Sequence, residues 1–375
     1  MESLDQRLVS TWSHDHSSVP LSYVQPLESR PGSKVTNHNS CKTIPVIDLG
    51  GHNDRAHTTK QILKASEDYG FFQVINHRVS KDLMDEALNI FKEFHAMPPK
   101  EKVNECSKDP NGRCKLYTSS ENYKIDAVQY WKDTLSHPCP SSGDHMKYWP
   151  EKPTKYREVV GKYTQELRKL ALEILELFCE GLGLNPRYFC GGLSGSPHVL
   201  VHHYPPCPEP SLTLGLAKHR DPTVITILLQ DQLVQGLQVL KDGEWLGVEP
   251  LPNAFVVNIG LLLQIISNGR LVGAEHRVVT NLTTARTSVA YFIYPSMESI
   301  IEPAQCLMNE TTLPVYKSMT FGEFRRQFFE KGPKIEEELQ KQDLMNNIIF
   351  LFLSTPTSPL TTVTKSPTSG KLPLL

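Results

Sequence analysis

The sequence has no excess of charge, no long hydrophobic run and no closely paired cysteines. Its 375 residues carry a formal net charge of −2, with 21% charged residues, so composition gives no sign of a nucleic-acid or anionic-membrane partner. No purely apolar run exceeds six residues, far below the roughly 20 that a membrane-spanning helix needs. The N-terminal stretch lacks the apolar segment of a signal peptide. The sequence therefore predicts a soluble, cytoplasmic protein, which we expect to be a monomer.

Cysteine spacing excludes two further classes. The eight cysteines are scattered, and none forms a C-x-x-C pair. A zinc knuckle or a dithiol redox centre is therefore not expected. Free thiols in a reducing compartment are the simplest interpretation.

The residue pattern divides the chain into five predicted regions. They are a flexible, Ser/Pro/His-rich N-terminal extension (1–40), a region of helices and strands (41–195), a strand-rich domain (196–297), a helical segment (298–340) and a disordered Ser/Thr/Pro-rich tail (341–375). The tail has too little apolar surface to pack, which is typical of disorder.

Two helices are predicted in the second region. Lys81 to Phe94 has a helical pattern, and Pro98-Pro99 is expected to stop it, leaving residues 100–150 irregular. From about Lys155 to Cys179, apolar residues recur at intervals of three and four. This spacing gives one apolar stripe, which indicates a helix packed on the core.

The third region has a different period. Short, closely spaced strands are predicted between about 198 and 296, with a hairpin turn at Lys241-Asp242-Gly243. Many short strands in succession favour a sandwich or jelly-roll barrel. The expected fold class is therefore mainly β with flanking helices.

The candidate metal-binding residues lie in this strand-rich region. His219 and Asp221 are separated by one residue, and His276 follows later. On one β-strand, residues two apart project from the same face, so His219 and Asp221 are expected to lie side by side. Two histidines and one carboxylate can hold Fe(II) on one face and leave positions open for a co-substrate and O₂. Zinc accepts the same ligand types, which leaves a metal hydrolase open.

A second pair favours the oxygen-activating interpretation. Arg286 and Ser288 repeat the one-residue spacing soon after His276. A guanidinium and a hydroxyl on one strand face can hold a carboxylate, which a metal hydrolase does not require. By the same alternation, His202 and Tyr204 share a face, and we interpret them as lining the co-substrate pocket.

The chain resembles the plant 2-oxoglutarate- and Fe(II)-dependent dioxygenases over residues 44 to about 340. The resemblance includes members similar to hyoscyamine hydroxylases. It rests on Ile44–Leu49, Gly70–His77, Tyr130–Leu135, Tyr204–Pro208, His219-x-Asp221, Leu228–Trp245, Asn258–Gly260, His276–Val279 and Arg286-x-Ser288. The chain departs from the family pattern at His202, His203 and Arg220. It also has Arg78 where a glycine is usual, so that turn is expected to be strained or reshaped.

The resemblance implies a double-stranded β-helix (jelly-roll) core. It implies His219, Asp221 and His276 as iron ligands. It also implies that Arg286 and Ser288 hold the distal carboxylate of 2-oxoglutarate, with Tyr204 assisting.

The implied reaction oxidises a small-molecule plant specialised metabolite, an alkaloid or a phenolic or flavonoid compound. Hydroxylation is the expected outcome, succinate and CO₂ are the co-products, and ascorbate is supportive. No residue other than the metal ligands is assigned a catalytic role. The substrate wall is expected at residues 115–131, Phe292, Tyr294 and the helix after 318. A catalytically silent relative that binds a small ligand is the alternative.

Overall fold

Two facing β-sheets form the centre of the fold. The computed structural model describes residues 3–31, 43–50, 54–109, 111–121, 127–139, 143–332 and 335–340. The strands are β1 (Val46–Asp48), β2 (Phe71–Ile75), β3 (Lys115–Thr118), β4 (Asp133–Pro138), β5 (His198–Tyr204), β6 (Leu216–His219), β7 (Ile225–Gln230), β8 (Leu237–Lys241), β9 (Glu244–Gly247), β10 (Phe255–Ile259), β11 (His276–Val278), β12 (Arg286–Phe292), β13 (Ile300–Ile301) and β14 (Met319–Thr320).

Helices flank the sheets. They are α1 (Leu4–Arg7), α2 (Val9–Trp12), α3 (Arg55–Asp68), α4 (Lys81–Ala96), α5 (Pro99–Ser107), α6 (Tyr156–Leu182), α7 (Leu261–Ile266), α8 (Phe321–Lys331) and α9 (Ile335–Leu339). The predicted disordered tail, 341–375, lies outside the described residues.

The sheet order is that of a jelly roll. An eight-stranded sheet has the order β1-β2-β10-β7-β12-β5-β4-β3, and a four-stranded sheet has the order β6-β11-β8-β9. The strands that run next to each other in these sheets are mostly distant in sequence, so the chain crosses repeatedly between the two layers. The predicted double-stranded β-helix with flanking helices is confirmed.

The larger sheet crosses the predicted boundary at residue 195. Strands β1 to β4 come from before it, whereas β5, β7, β10 and β12 come from after it. One continuous sheet with a shared core therefore joins the two regions. The boundary remains a prediction about sequence pattern, and it does not separate two independent cores.

The long helix α6 supports the larger sheet. Its apolar stripe is buried as the period predicted, and Leu167, Ile174 and Phe178 are fully inaccessible. The helix ends at Leu182, because Gly183 adopts a left-handed conformation (φ 69°) and its N–H bonds back to the last turn. This is a common helix C-cap, in which glycine avoids the steric cost of a Cβ atom.

One expectation about the second region was wrong. Pro98-Pro99 does end α4, but Pro99 is also the first residue of α5. Proline is favoured at that position because its missing N–H would be unpaired in any case. Residues 100–150 are therefore not irregular as a whole, since they also contribute β3 and β4.

The expectation of a flexible N-terminal extension was wrong for residues 3–31. Leu8 and Val9 are fully buried, and Val9 packs in a cluster with Tyr23 and Trp131. The backbone N–H groups of Val9 and Ser10 donate to the two carboxylate oxygens of Asp133, at 2.8 and 2.9 Å. The hydrogen bonds to Asp133 attach this segment to β4, and its scattered apolar and aromatic residues pack beside that strand.

The turn after β2 carries the strain that the sequence predicted. Arg78 has a φ of 64°, and Asn76 has a φ of 52°. A left-handed conformation costs a non-glycine residue roughly 1–2 kcal/mol. The turn is held in place by His77, whose Nε2 lies 3.1 Å from the carbonyl of Asn253 and whose Nδ1 accepts from the N–H of Val79. His77 is structural and lies apart from the histidines considered below.

Two absences hold for the described part of the chain. Its cysteines are all free thiols. None of its helices combines the length and the apolar composition required to cross a bilayer.

Candidate active site

Three side chains converge where the smaller sheet faces the larger one. His276 on β11 is paired directly with His219 on β6. The Nε2 atoms of His219 and His276 lie 3.4 and 3.6 Å from Oδ1 of Asp221. One ligand atom from each residue falls within 4.8 Å of the others. The sequence-predicted triad is therefore assembled as a potential metal site.

Asp221 reaches this position by a route that differs from the expected one. Strand β6 ends at His219, so Asp221 lies in the following turn rather than on the same strand. Pro222 follows immediately, and proline cannot donate to a sheet ladder. The backbone carbonyl of Asp221 instead accepts from the N–H of Leu261 at the start of α7. The expectation of strand alternation was wrong, although the two side chains do meet.

Backbone carbonyls set the protonation of both histidines. Nδ1 of His219 lies 2.8 Å from the carbonyl of Ala217, and Nδ1 of His276 lies 3.1 Å from the carbonyl of Ala274. A carbonyl can only accept, so each Nδ1 carries the proton and donates it. Each Nε2 is left with a free lone pair directed toward Asp221, which is the arrangement a metal-binding histidine requires.

Two donors orient the carboxylate. The hydroxyl of Thr226 donates to Oδ2 of Asp221 at 2.7 Å, and Nδ2 of Asn258 donates to the same atom at 2.8 Å. Burial opposes ionisation of Asp221, but the nearby imidazoles of His276 and His219 and the hydroxyl of Thr226 outweigh it and hold its pKa well below the usual range. Oδ1 remains available beside the two Nε2 atoms. Two imidazole nitrogens and one carboxylate oxygen suit Fe(II).

A buried guanidinium lies on the facing strand. Arg286 is 2% exposed, and its Nη1 and Nη2 donate to Oγ of Ser288 (3.2 Å) and Oε1 of Gln230 (3.0 Å). Its charged carbon lies 5.3 Å from the ring centre of Tyr204, which is the residue paired with Arg286 across β5 and β12. The predicted group of Arg286, Ser288 and Tyr204 is therefore brought together.

This group has unused donors that fit a carboxylate. Nε of Arg286 and Nε2 of Gln230 are both buried and make no hydrogen bond within the described structure. A buried donor without an acceptor is costly. An anionic oxygen next to either atom would satisfy that donor. The orphaned atoms thus match the distal carboxylate of a bound 2-oxoglutarate.

The sequence did not reveal Gln230, Thr226 or Asn258. Gln230 faces Ser288 because β7 and β12 pair in that register. Thr226 and Asn258 face each other across β7 and β10. Gln230 and Asn258 lie in stretches that resemble the family, but no role was predicted for them or for Thr226.

His202 lies on the same face as Tyr204, as predicted. The two ring centres are 6.2 Å apart, and Nδ1 of His202 is 3.0 Å from the hydroxyl of Thr134. Burial, followed by the charge of Lys132, lowers the pKa of His202 well below its ordinary value. His202 is therefore neutral at physiological pH.

Two family descriptions match the chain. Residues 195–295 match the 2OG-Fe(II) oxygenase superfamily, and residues 44–156 match the non-haem dioxygenase N-terminal region named for morphine synthesis. Hyoscyamine 6-dioxygenase of Hyoscyamus niger is 43% identical over 84% of this chain and 92% of its own length.

The chain belongs to the 2OG-Fe(II) oxygenase superfamily.

Other relatives of this oxygenase agree. Protein DOWNY MILDEW RESISTANCE 6 of Arabidopsis thaliana is 39% identical over 91% of this chain and 99% of its own length. The crystal structure of JOX2 in complex with 2OG, Fe and JA superposes with a TM-score of 0.76, at 35% identity, over 85% of this chain and 92% of that one. The oxygenase is accordingly a dioxygenase that uses Fe(II) and 2-oxoglutarate. The silent relative and the zinc-type hydrolase are not favoured.

Part of the expected substrate wall forms an aromatic cluster. The ring of Tyr294 lies 5.7 Å from that of Phe292 and stacks on Phe321 at 5.8 Å. Burial, with a further contribution from the charge of Asp221, raises the pKa of Tyr294. Residues 122–126 of the predicted wall lie outside the described residues.

Proposed function

We propose that His219, Asp221 and His276 are the iron ligands of this oxygenase and that Arg286 grips 2-oxoglutarate. The proposal rests on two features of the site. Three potential metal-ligating atoms converge, and a buried guanidinium with its neighbouring amide keeps unused hydrogen-bond donors. One ligand atom from each of the three triad residues lies within 4.8 Å of the others, and buried donors of Arg286 and Gln230 have no acceptor among the described residues. An Fe(II)–2-oxoglutarate complex satisfies both sets of atoms at once.

Each residue has a defined task in this proposal. The two imidazoles and Oδ1 of Asp221 hold the ion on one face, and Thr226 and Asn258 keep the carboxylate in position. Arg286 anchors the far carboxylate of the co-substrate. Ser288 and Tyr204 assist in holding this carboxylate, and both also contact the guanidinium and keep it in position. Burial of this set excludes water, which strengthens every charged contact.

Bound iron, 2-oxoglutarate and O₂ supply the oxidising chemistry, in which the co-substrate becomes succinate and CO₂ while a C–H bond is oxidised. We propose that the prime substrate is a plant specialised metabolite and that the reaction is a hydroxylation. Relatives named for hyoscyamine, flavanone and mugineic acid support a small organic molecule. We further propose that the enzyme is a cytoplasmic monomer with no nucleic-acid or membrane partner, in keeping with its balanced charge.

Succinate release tests this function. Purified enzyme supplied with Fe(II), ascorbate, 2-oxoglutarate and air is expected to release succinate faster when alkaloid, phenolic or flavonoid substrates are added. The same mixture without O₂ or without 2-oxoglutarate is expected to release none. Succinate that stays at background across a broad substrate panel would favour the silent relative, and product formed anaerobically without 2-oxoglutarate would favour the hydrolase.

A further inference from the structure

Lys132 is a buried lysine that the proposed function leaves unused. It directly precedes β4 and is only 4% exposed. Its backbone carbonyl accepts from the N–H of Ser119 at 2.8 Å, which continues the pairing of β4 with β3. Lys132 and Thr134 are two residues apart, so they share a face of the sheet. Thr134 bonds His202, which identifies that face as the one lining the active site.

The neighbouring carboxylate does not serve Lys132. Asp133 projects from the opposite face, where its two oxygens accept from the N–H groups of Val9 and Ser10. Its charge instead acts on Lys102 and His203. Among the described residues, no hydrogen bond or ion pair is formed by the ammonium of Lys132. Lysine is almost never fully buried without a partner.

Burying this ammonium is costly for the protein alone. Burial is the sole cause of the shift that lowers the pKa of Lys132 from 10.5 to about 7. Perturbed, buried and unpaired groups of this kind concentrate at functional sites. Lysine in such a position is stabilised as soon as an anion is placed beside it.

The ammonium of Lys132 acts electrostatically on the site through His202. Its charge acts on His202 more strongly than the charge of Arg286 does. The main electrostatic influences on Arg286 come from Tyr204 and Asp231 instead. Beside Lys132, the hydroxyl of Thr134 links Tyr117 to His202. The region therefore offers one cation and several polar groups, apart from the guanidinium that the co-substrate occupies.

Charge balance indicates what is missing. In the proposed complex, the formal charges of Fe(II), Asp221, Arg286 and the dianionic 2-oxoglutarate cancel. Protonated Lys132 then adds one positive charge to a buried chamber. A buried charge without a partner is strongly unfavourable, so an anion beside Lys132 would stabilise its protonated form.

We propose that Lys132 receives a carboxylate of the prime substrate, and that the substrate of this oxygenase is therefore an organic acid. This inference rests on the proposed function, because the balance assumes that Arg286 is occupied by 2-oxoglutarate. Lys132 is in this view a specificity-determining residue. Thr134 and His202 complete the subsite as neutral polar neighbours.

Matched acids and amides test the subsite without knowledge of the natural substrate. The full chain is loaded with Mn(II) and saturating 2-oxoglutarate, and its affinity for benzoate and acetate is compared with that for benzamide and acetamide at constant ionic strength. The wild type is expected to bind each acid roughly 10- to 100-fold more tightly than its amide, since the contact is charge-assisted. Lys132→Met is expected to lose this preference, and Lys132→Arg to retain much of it. Lys162→Met, at an exposed lysine, is the matched control.

The affinity for 2-oxoglutarate shows whether Lys132 binds a carboxylate of the prime substrate or a carboxylate of the co-substrate. Lys132→Met is expected to bind 2-oxoglutarate as the wild type does. A large loss of that affinity would assign the ammonium to the co-substrate and overturn the proposal. A wild type without preference for acids, or a Lys132→Met variant that keeps it, would also overturn the proposal. Failure of the wild type to bind 2-oxoglutarate at all would instead count against the proposed function.

Stability gives an independent readout. In the unfolded chain Lys132 keeps its proton up to about pH 10.5, whereas in the folded chain it loses the proton near pH 7. Its destabilising effect is therefore complete below pH 7 and fades as the pH rises toward 10.5. The urea midpoint of Lys132→Met is expected to exceed that of the wild type at pH 7, and the two are expected to converge at high pH. Equal midpoints at pH 7 would show that the ammonium is already partnered, contrary to the proposal.

Discussion

Replacing Asp221 with alanine is expected to abolish iron-dependent turnover. The change removes the oxygen that completes the triad and leaves Thr226 and Asn258 without their shared acceptor. Two imidazoles alone would hold the ion weakly and leave its charge uncompensated in a buried site. The loss of activity should exceed the roughly 10- to 100-fold effect of disturbing a ligand's outer partner. Succinate release and Fe(II) titration measure the two consequences separately.

A graded control distinguishes metal loss from misfolding. Thr226→Val removes one donor to Oδ2 of Asp221 and keeps the side-chain volume, so a partial loss of about 10- to 100-fold is expected. Asp68→Ala, at an exposed carboxylate on α3, should leave activity unchanged. Thermal melting of all three variants shows whether the fold persists. An Asp221→Ala enzyme that binds Fe(II) and releases succinate normally would contradict the assignment of this ligand.

Arg286→Met is expected to raise the dissociation constant of 2-oxoglutarate steeply. Two charge-assisted hydrogen bonds to the distal carboxylate would be lost, each contributing roughly 1.5–3 kcal/mol. Together they correspond to a weakening on the order of 10²- to 10⁴-fold. Iron binding should be unaffected, because Arg286 does not contact the triad. Calorimetric titration with 2-oxoglutarate in the presence of Mn(II) gives the constant directly.

Two companion variants test the shape of this clamp. Arg286→Lys keeps the charge and loses the planar fork, so its affinity should fall between those of the wild type and Arg286→Met. Gln230→Leu removes the partner of Nη2 and an unused donor, and a weakening of about 10- to 100-fold is expected. Unchanged 2-oxoglutarate affinity in Arg286→Met would show that the co-substrate is held elsewhere.

The parts of the site that the sequence predicted are those with short, regular spacing or a family motif. Arg286 and Ser288 are two residues apart on one strand, and strand alternation alone brings them together. Gln230 and Lys132 lie within stretches that resemble the family, but no spacing in those stretches singles them out. Gln230 meets Ser288 only through the register of β7 and β12, which is set by tertiary packing. Lys132 gains its importance from burial, which the sequence does not display.

The fold, like the site, has parts that local sequence pattern predicted and parts that depend on tertiary packing. Regular periodicity predicted α6 and most strands of the larger sheet, because both elements bury a continuous apolar face. The N-terminal segment was misjudged, because its few apolar residues stand among polar ones, and Val9 and Tyr23 become core only where they pack with Trp131. The helix α5 was missed because a proline that ends one helix can also begin the next.

Diffraction from crystals soaked without oxygen in Mn(II) and 2-oxoglutarate is the most direct measurement. One anomalous peak is expected at about 2.0–2.2 Å from Nε2 of His219, Nε2 of His276 and Oδ1 of Asp221. The distal carboxylate of 2-oxoglutarate is expected at about 2.7–2.9 Å from the guanidinium of Arg286. A metal peak away from these three atoms, or a co-substrate whose far carboxylate avoids Arg286, would contradict the proposed centre.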